Sequence, residues 1–413
     1  MAEHNLSFAI STFGCKVNQY ESQVVRERLQ AAGYRENPDA PEMIVINSCA
    51  VTARAEAKTR KCIRRWIRRF PRARLVIIGC GLTFSESRDR SMWKIVPPHR
   101  RGELPLSIMR DGLWGITFSA DHSRAFVKVQ NGCDSSCSYC IIPFLRGDPV
   151  SRTMEEVVRE VSILIHNGYR EIVLTGIHLG IYGKDDSEYQ TDLAGLVERL
   201  LKLSGQFRIR LSSIEPKEIS PRLVQLITKE EKLCPHLHLP LQSGSDHILR
   251  KMNRNYTIGE YYEIIRSLQS ASPDASISTD CLVGFPGEGE EDFQATCRAV
   301  REIGFGKVHI FPYSRRDGTG AACYPSLDRE TILRRVNTLG EISETASREF
   351  RKRFLDREVE VIIEKKLRDG LYSGLDEHYV RVLVSGEKCG TGNLCRVWIT
   401  GVEENGLMGK ALT

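Results

Sequence analysis

Apolar positions along the first 80 residues repeat one phrase three times, a run of strand length followed at once by a loop that carries a cysteine: LSFAIST before Cys15, MIVINS before Cys49 and RLVIIG before Cys80. Helical patterns lie between them, over residues 21–32 ending at Gly33 and over 54–70 ending before Pro71. Strands alternating with helices imply a parallel sheet. Residues 81–124 are poorly patterned, and PPHRRGELP reads as loop and linker. Strand patterns recur near 125–130, 171–175, 207–211, 236–240, 277–283 and 307–311, alternating with helices, one of which opens with Thr153 and Glu156 at capping-box spacing and closes at Gly168. Six such units predict a partial parallel barrel. From Arg357 the pattern changes to short β-rich runs, EVEVIIE, HYVRVLV and CRVWIT, separated by glycine-containing turns, which predicts a small all-β barrel. The fold class is therefore α/β with an added β module, and the expected domains are 1–105, 124–350 and 357–413.

At 413 residues the chain is too long for one core, which agrees with several modules, and 41% hydrophobic with 27% charged residues excludes disorder. No stretch approaches the roughly 20 apolar residues that cross a bilayer, and the start MAEHNLSFAI lacks a secretory pattern. No membrane association and a cytoplasmic location are expected. Thirteen cysteines in such a compartment argue for metal or catalytic roles rather than disulfides. Residues 1–80 hold 14 Lys and Arg against 7 Asp and Glu, an excess suited to a polyanion. Much of it lies over 54–74, with ten cations and only Glu56 opposing them. An apolar stripe of Ile63, Trp66, Ile67 and Phe70 leaves Arg60, Arg64 and Arg68 in line, either for phosphates or as a solvated face.

GCDSSCSYC places Cys133, Cys137 and Cys140 in one loop directly after the first barrel strand. Three thiolates can hold three irons of a cubane and leave the fourth open for a substrate. A structural zinc site wants a fourth ligand, and the next histidine, His166, falls inside a predicted helix. Cys15, Cys49 and Cys80 each follow a strand at its carboxyl end, where ligands gather in open parallel sheets, so they can converge; the alternative is three buried cysteines. Gly176 and Gly180 can admit a close ligand approach, and Glu215 and Gln242 follow later strands at the barrel mouth, where cofactor contacts are expected.

The three-then-two cysteine spacing, with the aromatic Tyr139 before the last cysteine, resembles the radical S-adenosylmethionine (SAM) superfamily. A three-cysteine domain before this motif and a β-barrel after it together resemble the methylthiotransferases, over nearly the whole chain. The phrases that carry the likeness are TFGCKVNQYES, NSCAVTARAEAK, NGCDSSCSYCIIP, EIVLTGIHLGIYG, RLSSIEP, HLPLQSGSDHILRKMNR and DCLVGFPGE. The resemblance implies a Rossmann-like first domain, a radical SAM barrel and a TRAM domain that binds RNA. It implies a 4Fe-4S cluster on Cys133, Cys137 and Cys140 whose open iron chelates SAM, which an electron cleaves to a 5′-deoxyadenosyl radical. A second 4Fe-4S cluster on Cys15, Cys49 and Cys80 is implied to carry the sulfur.

TFGCKVNQYES and TGIHLGIYG, with Lys16 and Val17 after Cys15, are most similar to the branch acting on threonylcarbamoyladenosine at position 37, beside the tRNA anticodon. Sibling branches modify isopentenyladenosine in tRNA or an aspartate of a ribosomal protein. The implied reaction removes hydrogen from adenine carbon 2, adds sulfur there and methylates it from a second SAM, with an electron donor and a sulfur donor as partners. A zinc-stabilised RNA-binding protein is the rival from another class. Two stretches depart from the family. Cys80 is followed by GLTFSES instead of a small residue and glutamine, and Val150 stands between Arg146 and Arg152 where a further arginine is usual. The last domain has 7 Lys and Arg against 9 Asp and Glu over 358–413, an awkward balance for RNA. Arg381, Lys388 and Arg396 with Tyr379 and Trp398 can make an RNA surface, the alternative being a structural role for both aromatics. Cys62, Cys234, Cys281, Cys297, Cys323, Cys389 and Cys395 are expected to be structural.

Overall fold

The three apolar phrases become neighbouring strands of one parallel sheet. The computed structural model describes residues 6–80, the backbone of 93–95, and residues 115–119, 122–185, 191–386 and 389–412. The first unit runs β1 (Ser7–Thr12), α1 (Lys16–Ala31), β2 (Arg35–Glu36), β3 (Met43–Ser48), α2 (Ala53–Arg69), β4 (Arg74–Gly79) and β5 (Trp93–Ile95), in sheet order β2-β1-β3-β4-β5. With β1, β3 and β4 adjacent, all three cysteine loops leave the same edge of the sheet. Strand β5 lies in the stretch read as linker, a short run that the periodicity does not reveal. Helix α1 starts at Lys16 rather than near residue 21, because its first turn is buried through polar contacts: the Asn18 amide donates to the Phe13 and Ser48 carbonyls at 2.7 and 2.9 Å. Apolar periodicity is blind to such a turn. The α2 stripe packs as expected, with Ile63 and Trp66 buried and Ile67 and Phe70 beside them.

The second unit comprises β6 (Ala125–Lys128), β7 (Gln130–Asn131), α3 (Ile142–Arg146), β8 (Val150–Ser151), α4 (Met154–His166), β9 (Glu171–Thr175), α5 (Leu193–Leu201), β10 (Arg208–Leu211), α6 (Pro221–Lys229), β11 (His236–His238), α7 (Asp246–Lys251), α8 (Ile258–Ala271), β12 (Ser276–Val283), α9 (Glu290–Ile303) and β13 (Lys307–Pro312). Parallel triplets β6-β9-β10 and β11-β12-β13 join through bridges between Ile209 and Leu233 and between Ser213 and His238, giving the partial six-stranded barrel. Alternation along each strand separates two environments. Leu237, Ile277 and Val308 pack into the apolar core, while His236, His238, Ser278, Asp280 and His309 face one another on the opposite, lumenal side. Helix α10 (Arg329–Lys352) leads to a closed five-stranded barrel of β14 (Glu358–Arg368), β15 (Leu371–Asp376), β16 (Arg381–Ser385), β17 (Leu394–Glu403) and β18 (Gly406–Ala411). No helix among the described residues is long and apolar enough to cross a membrane.

The last barrel seals the amino-terminal end of the lumen through charge. Glu171, fully buried, is paired with Arg208 at 2.6 Å, Arg210 at 2.8 Å and Arg124 at 3.5 Å. Arg208 and Arg210 also donate to the carbonyls of Glu360, Leu375, Asp376 and Glu377 in the third domain. Burial alone raises the Glu171 carboxyl, but the Arg210 and Arg208 guanidiniums hold it well below the ordinary carboxylate range. The folded-state value is thus depressed, so its stabilisation is complete above the ordinary glutamate value of about 4.5 and is lost as pH falls below it. Glu171→Gln leaves three buried guanidiniums without their shared counter-charge and is expected to cost about 3–5 kcal/mol at neutral pH. Urea unfolding should show this loss at pH 7 and a smaller one near pH 3; equal curves for variant and wild type at pH 7 refute it.

Candidate active site

The described cysteines group by the local backbone that presents them. Cys15 and Cys80 follow Gly14 at φ 101° and Gly79 at φ 90°, left-handed conformations that favour glycine. A Cβ on Gly14 falls 2.9 Å from Cys49 Cβ and 3.0 Å from Cys49 Sγ, so the first two loops touch. Burial, with Cys15 adding to it, raises the Cys49 thiol, and burial pushes the Cys80 thiol up to about 11. The three thiols of separate strands thus share one site. Arg146 Nε donates to Cys80 Sγ at 3.0 Å, and this arginine ends α3, in the loop that begins with the other three cysteines.

Around Cys133, Cys137 and Cys140 two further donor pairs appear. His178 Nδ1 lies 3.5 Å from Cys133 Sγ, and its Nε2 is 2.6 Å from Glu218. Arg254 donates to Cys137 Sγ at 3.3 Å and pairs with Glu215. Burial raises the Cys133 thiol, yet hydrogen bonds from His178 and the Ser135 N–H outweigh it and bring the thiol below its ordinary value. Burial pushes Cys140 up to about 12. His178, opposed by burial, is raised to about 10 by Cys133 and Glu218. A cavity of about 390 Å³ beside these thiols is lined by Cys137, His178, Lys184, Glu215, Lys217 and Arg254. Three thiols, no fourth thiolate offered by the loop, and an adjoining polar cavity fit a cluster with one iron open to a zwitterionic ligand.

His178 went unrecognised in the sequence because it is far from the cysteine loop along the chain; the turn after β9 returns it to Cys133. Cys133, Asp134 and His178 offer donor atoms within 4.8 Å of one another, so the absence of a nearby histidine does not hold in space. His178 is nevertheless engaged by Glu218. Tyr139 packs edge-on to Phe285 at 6.4 Å rather than into the cavity. Gly176 abuts Gln130, whose Oε1 would lie 3.0 Å from an added Cβ, and a side chain on Gly180 would collide with Glu218. These glycines make room for the residues that orient His178, since Gln130 also accepts from the His178 N–H at 2.8 Å. Gln242 holds a left-handed φ of 59° at the mouth, a strained conformation typical of sites.

The remaining expectations divide. Tyr379 does not offer a stacking face, because it is enclosed by His236, Arg124 and Arg210 at 4.8, 5.6 and 5.0 Å. Arg381 is engaged by Ser373 and Glu364, and Lys388 lies outside the described residues. Trp398 and Arg396 remain at the surface. Arg60 is tied to Glu56, whereas Arg64 and Arg68 are exposed on α2. Arg146 and Arg152 serve buried pairs with Glu21 and Glu160, while Val150 faces solvent. The GLTFSES stretch lies outside the described residues. Cys323 is exposed, unlike the buried Cys62, Cys234, Cys281, Cys297 and Cys389, since it ends a short surface turn.

Residues 7–94 match the uncharacterized protein family UPF0004, and residues 127–300 match the radical SAM superfamily. The chain is 36% identical to a threonylcarbamoyladenosine tRNA methylthiotransferase, MtaB, of Chlamydia pneumoniae over 99% of both chains. It belongs to the radical SAM methylthiotransferase family. The Thermotoga maritima MtaB is also 36% identical, over 94% of this chain and 93% of its own. A tRNA-2-methylthio-N(6)-dimethylallyladenosine synthase of Pelotomaculum thermopropionicum is 33% identical over 95% of each. The fold of this methylthiotransferase is similar to that of the radical SAM methyltransferase TsrM from Kitasatospora setae, with a TM-score of 0.57, 13% identity and 77% of each chain covered.

The unequal thiols make a test on the metal-free protein. Thiolate is the form that alkylates, so Cys133 should react with iodoacetamide at pH 7.5 faster than Cys140. His178→Ala removes the donor that favours the Cys133 thiolate and should slow that residue several-fold, read by peptide mass spectrometry. Equal Cys133 rates in variant and wild type contradict the hydrogen bond.

Proposed function

We propose that this methylthiotransferase converts N6-threonylcarbamoyladenosine at position 37 of tRNA to its 2-methylthio derivative, with Cys133, Cys137 and Cys140 holding the cluster that binds SAM and Cys15, Cys49 and Cys80 holding a second 4Fe-4S cluster. The observation that carries the two-cluster reading is Arg146, which reaches from the first cysteine loop to Cys80 of the second set. The substrate reading is supported by two relatives named for threonylcarbamoyladenosine at 36% identity, against 33% for one named for dimethylallyladenosine. When bound, the clusters and SAM supply the radical, the sulfur and the methyl group that carbon 2 requires.

The chain supplies placement. Tyr139 packs edge-on against Phe285 beside the cysteine loop, Arg254 and His178 hold two of its thiolates, and Glu215 orients Arg254. Gly176 keeps Gln130 against the His178 turn, and Gln242 shapes the mouth. Exposed Arg64 and Arg68 on α2 can neutralise phosphates of an anticodon stem-loop. Adenine at position 37 lies in a single-stranded loop, where unstacking it toward the mouth is cheapest. An electron donor and a sulfur donor complete the reaction.

Anaerobic reconstitution should give about eight irons per chain if both clusters are complete cubanes. Replacing Cys133, Cys137 and Cys140 by Ala should halve that iron and abolish SAM cleavage; full iron in the triple variant, or zinc in place of iron, rejects the assignment. For the substrate, the reconstituted enzyme is offered tRNAs carrying threonylcarbamoyladenosine or isopentenyladenosine under reducing conditions. A site that hydrogen-bonds the polar substituent should discriminate by a factor of about 10⁴ or more. Methylthio product on the isopentenyl tRNA alone overturns the substrate while leaving the two-cluster chemistry intact.

A further inference from the structure

Buried arginines gather at the floor of the lumen beneath the cysteine loops. Arg124, Arg208 and Arg210 share the single buried carboxylate of Glu171, helped at the edge by Glu364 and Glu360. Asp376 and Glu377, which border the same floor, are raised by burial toward their neutral forms. Asp280, higher in the lumen, is engaged by His238 at 3.2 Å. Into this field comes Lys16, the first residue of α1 and the immediate neighbour of Cys15. Its ammonium lies 5.5 Å from the Tyr379 ring centroid. Among the described residues no Asp or Glu oxygen lies within 4.0 Å of it; Glu171 acts on it only from farther away, alongside Arg124 and Arg210, and His236 and His309 feel its charge. Burial raises the Tyr379 phenol, yet Lys16 and Arg124 beside it bring it below its ordinary value.

A half-buried cation without an acidic partner is costly unless an anion arrives. We propose that Lys16 reads the carboxylate of the threonylcarbamoyl substituent and is a specificity-determining residue of this enzyme. The inference rests on the substrate proposed above and deepens it. In adenine, carbons 2 and 6 flank N1, so a base that presents carbon 2 to the Cys15 site carries its N6 substituent along the same edge. The residue next to Cys15 is then placed to meet the carboxylate at the end of that substituent. Lys16 is half-buried as a residue, and its ammonium sits beside the Tyr379 ring, so the carboxylate would meet it inside the lumen. An isopentenyl group offers the ammonium nothing and would leave it desolvated and unpaired, which makes one residue both an attraction and a rejection.

The test compares binding of two anticodon stem-loops, one with threonylcarbamoyladenosine and one with unmodified adenosine at position 37, to the anaerobically reconstituted full chain. Wild type should prefer the modified stem-loop. Lys16→Met should reduce that preference by about tenfold, the scale of one charge-assisted hydrogen bond, and Lys16→Arg should retain most of it. Iron content and melting temperature are measured in parallel, so that only variants matching wild type in both are compared. An undiminished preference in Lys16→Met overturns the role of Lys16. Absence of any preference in wild type overturns the substrate itself, and the two failures are thereby distinguished.

Discussion

Arg146 is the contact on which the relation between the two cysteine sets depends. Its side chain is fully buried, and stripping water from a guanidinium costs several kcal/mol unless its N–H groups are satisfied. Here Nε donates to Cys80, and the terminal nitrogens donate to Glu21, Asn131 and Asn18 at 2.7–3.3 Å. Glu21 in turn takes Lys128 of β6 at 3.0 Å. Because α3 follows closely on Cys140 and α1 begins directly after Cys15, this one network fixes the first domain against the barrel at the level of the thiols. The polar first turn of α1 exists for the same reason: Asn18 and Glu21 are buried as partners of Arg146, with Asn18 also fastening the Cys49 loop through Ser48.

The same device recurs at the other set. Arg146 with Glu21 meets Cys80, His178 with Glu218 meets Cys133, and Arg254 with Glu215 meets Cys137. In each case a cation touches a thiol and a carboxylate holds the cation. A thiolate-rich centre is anionic in a partly desolvated place, so donors aimed at sulfur stabilise the charged ligand form, and the carboxylate fixes the donor's direction. Among the described residues no side chain donates to Cys140 in this way; burial dominates there and raises its thiol to about 12.

Much of this architecture was legible in the chain, and the parts that were not share a cause. The strands were readable because apolar runs and their flanking turns are local signals, and β9 falls where the pattern puts it, at residues 171–175. The cysteine sets were readable because Cys15, Cys49 and Cys80 each follow a strand-like run at its carboxyl end and the GCDSSCSYC loop holds the other three together. His178, Arg254 and Arg146 were not, since each acts through a fold contact with a residue far along the chain. Of the two readings of Tyr379, RNA surface or structural aromatic, the structure takes the second, for the complementary reason. An aromatic in a β-module beside cations reads as a nucleic-acid surface until the module docks, and then the cations prove to belong to the barrel.

That docking also accounts for the acidic balance of the third domain. Two of its carboxylates are directed at the barrel: Glu364 pairs with Arg124 at 3.0 Å and Glu360 lies 3.6 Å from Arg208, while the carbonyls of Asp376 and Glu377 accept from Arg210. Net charge governs long-range attraction only for groups left in solvent. Once these acids are subtracted as partners of buried arginines, the outer strand β17 still presents Trp398 and Arg396 at the surface. The two acids of excess over 358–413 are thus matched by two that face arginines of the barrel floor. Lys16 comes down on that plug from the first domain, its ammonium 5.5 Å from the Tyr379 ring centroid.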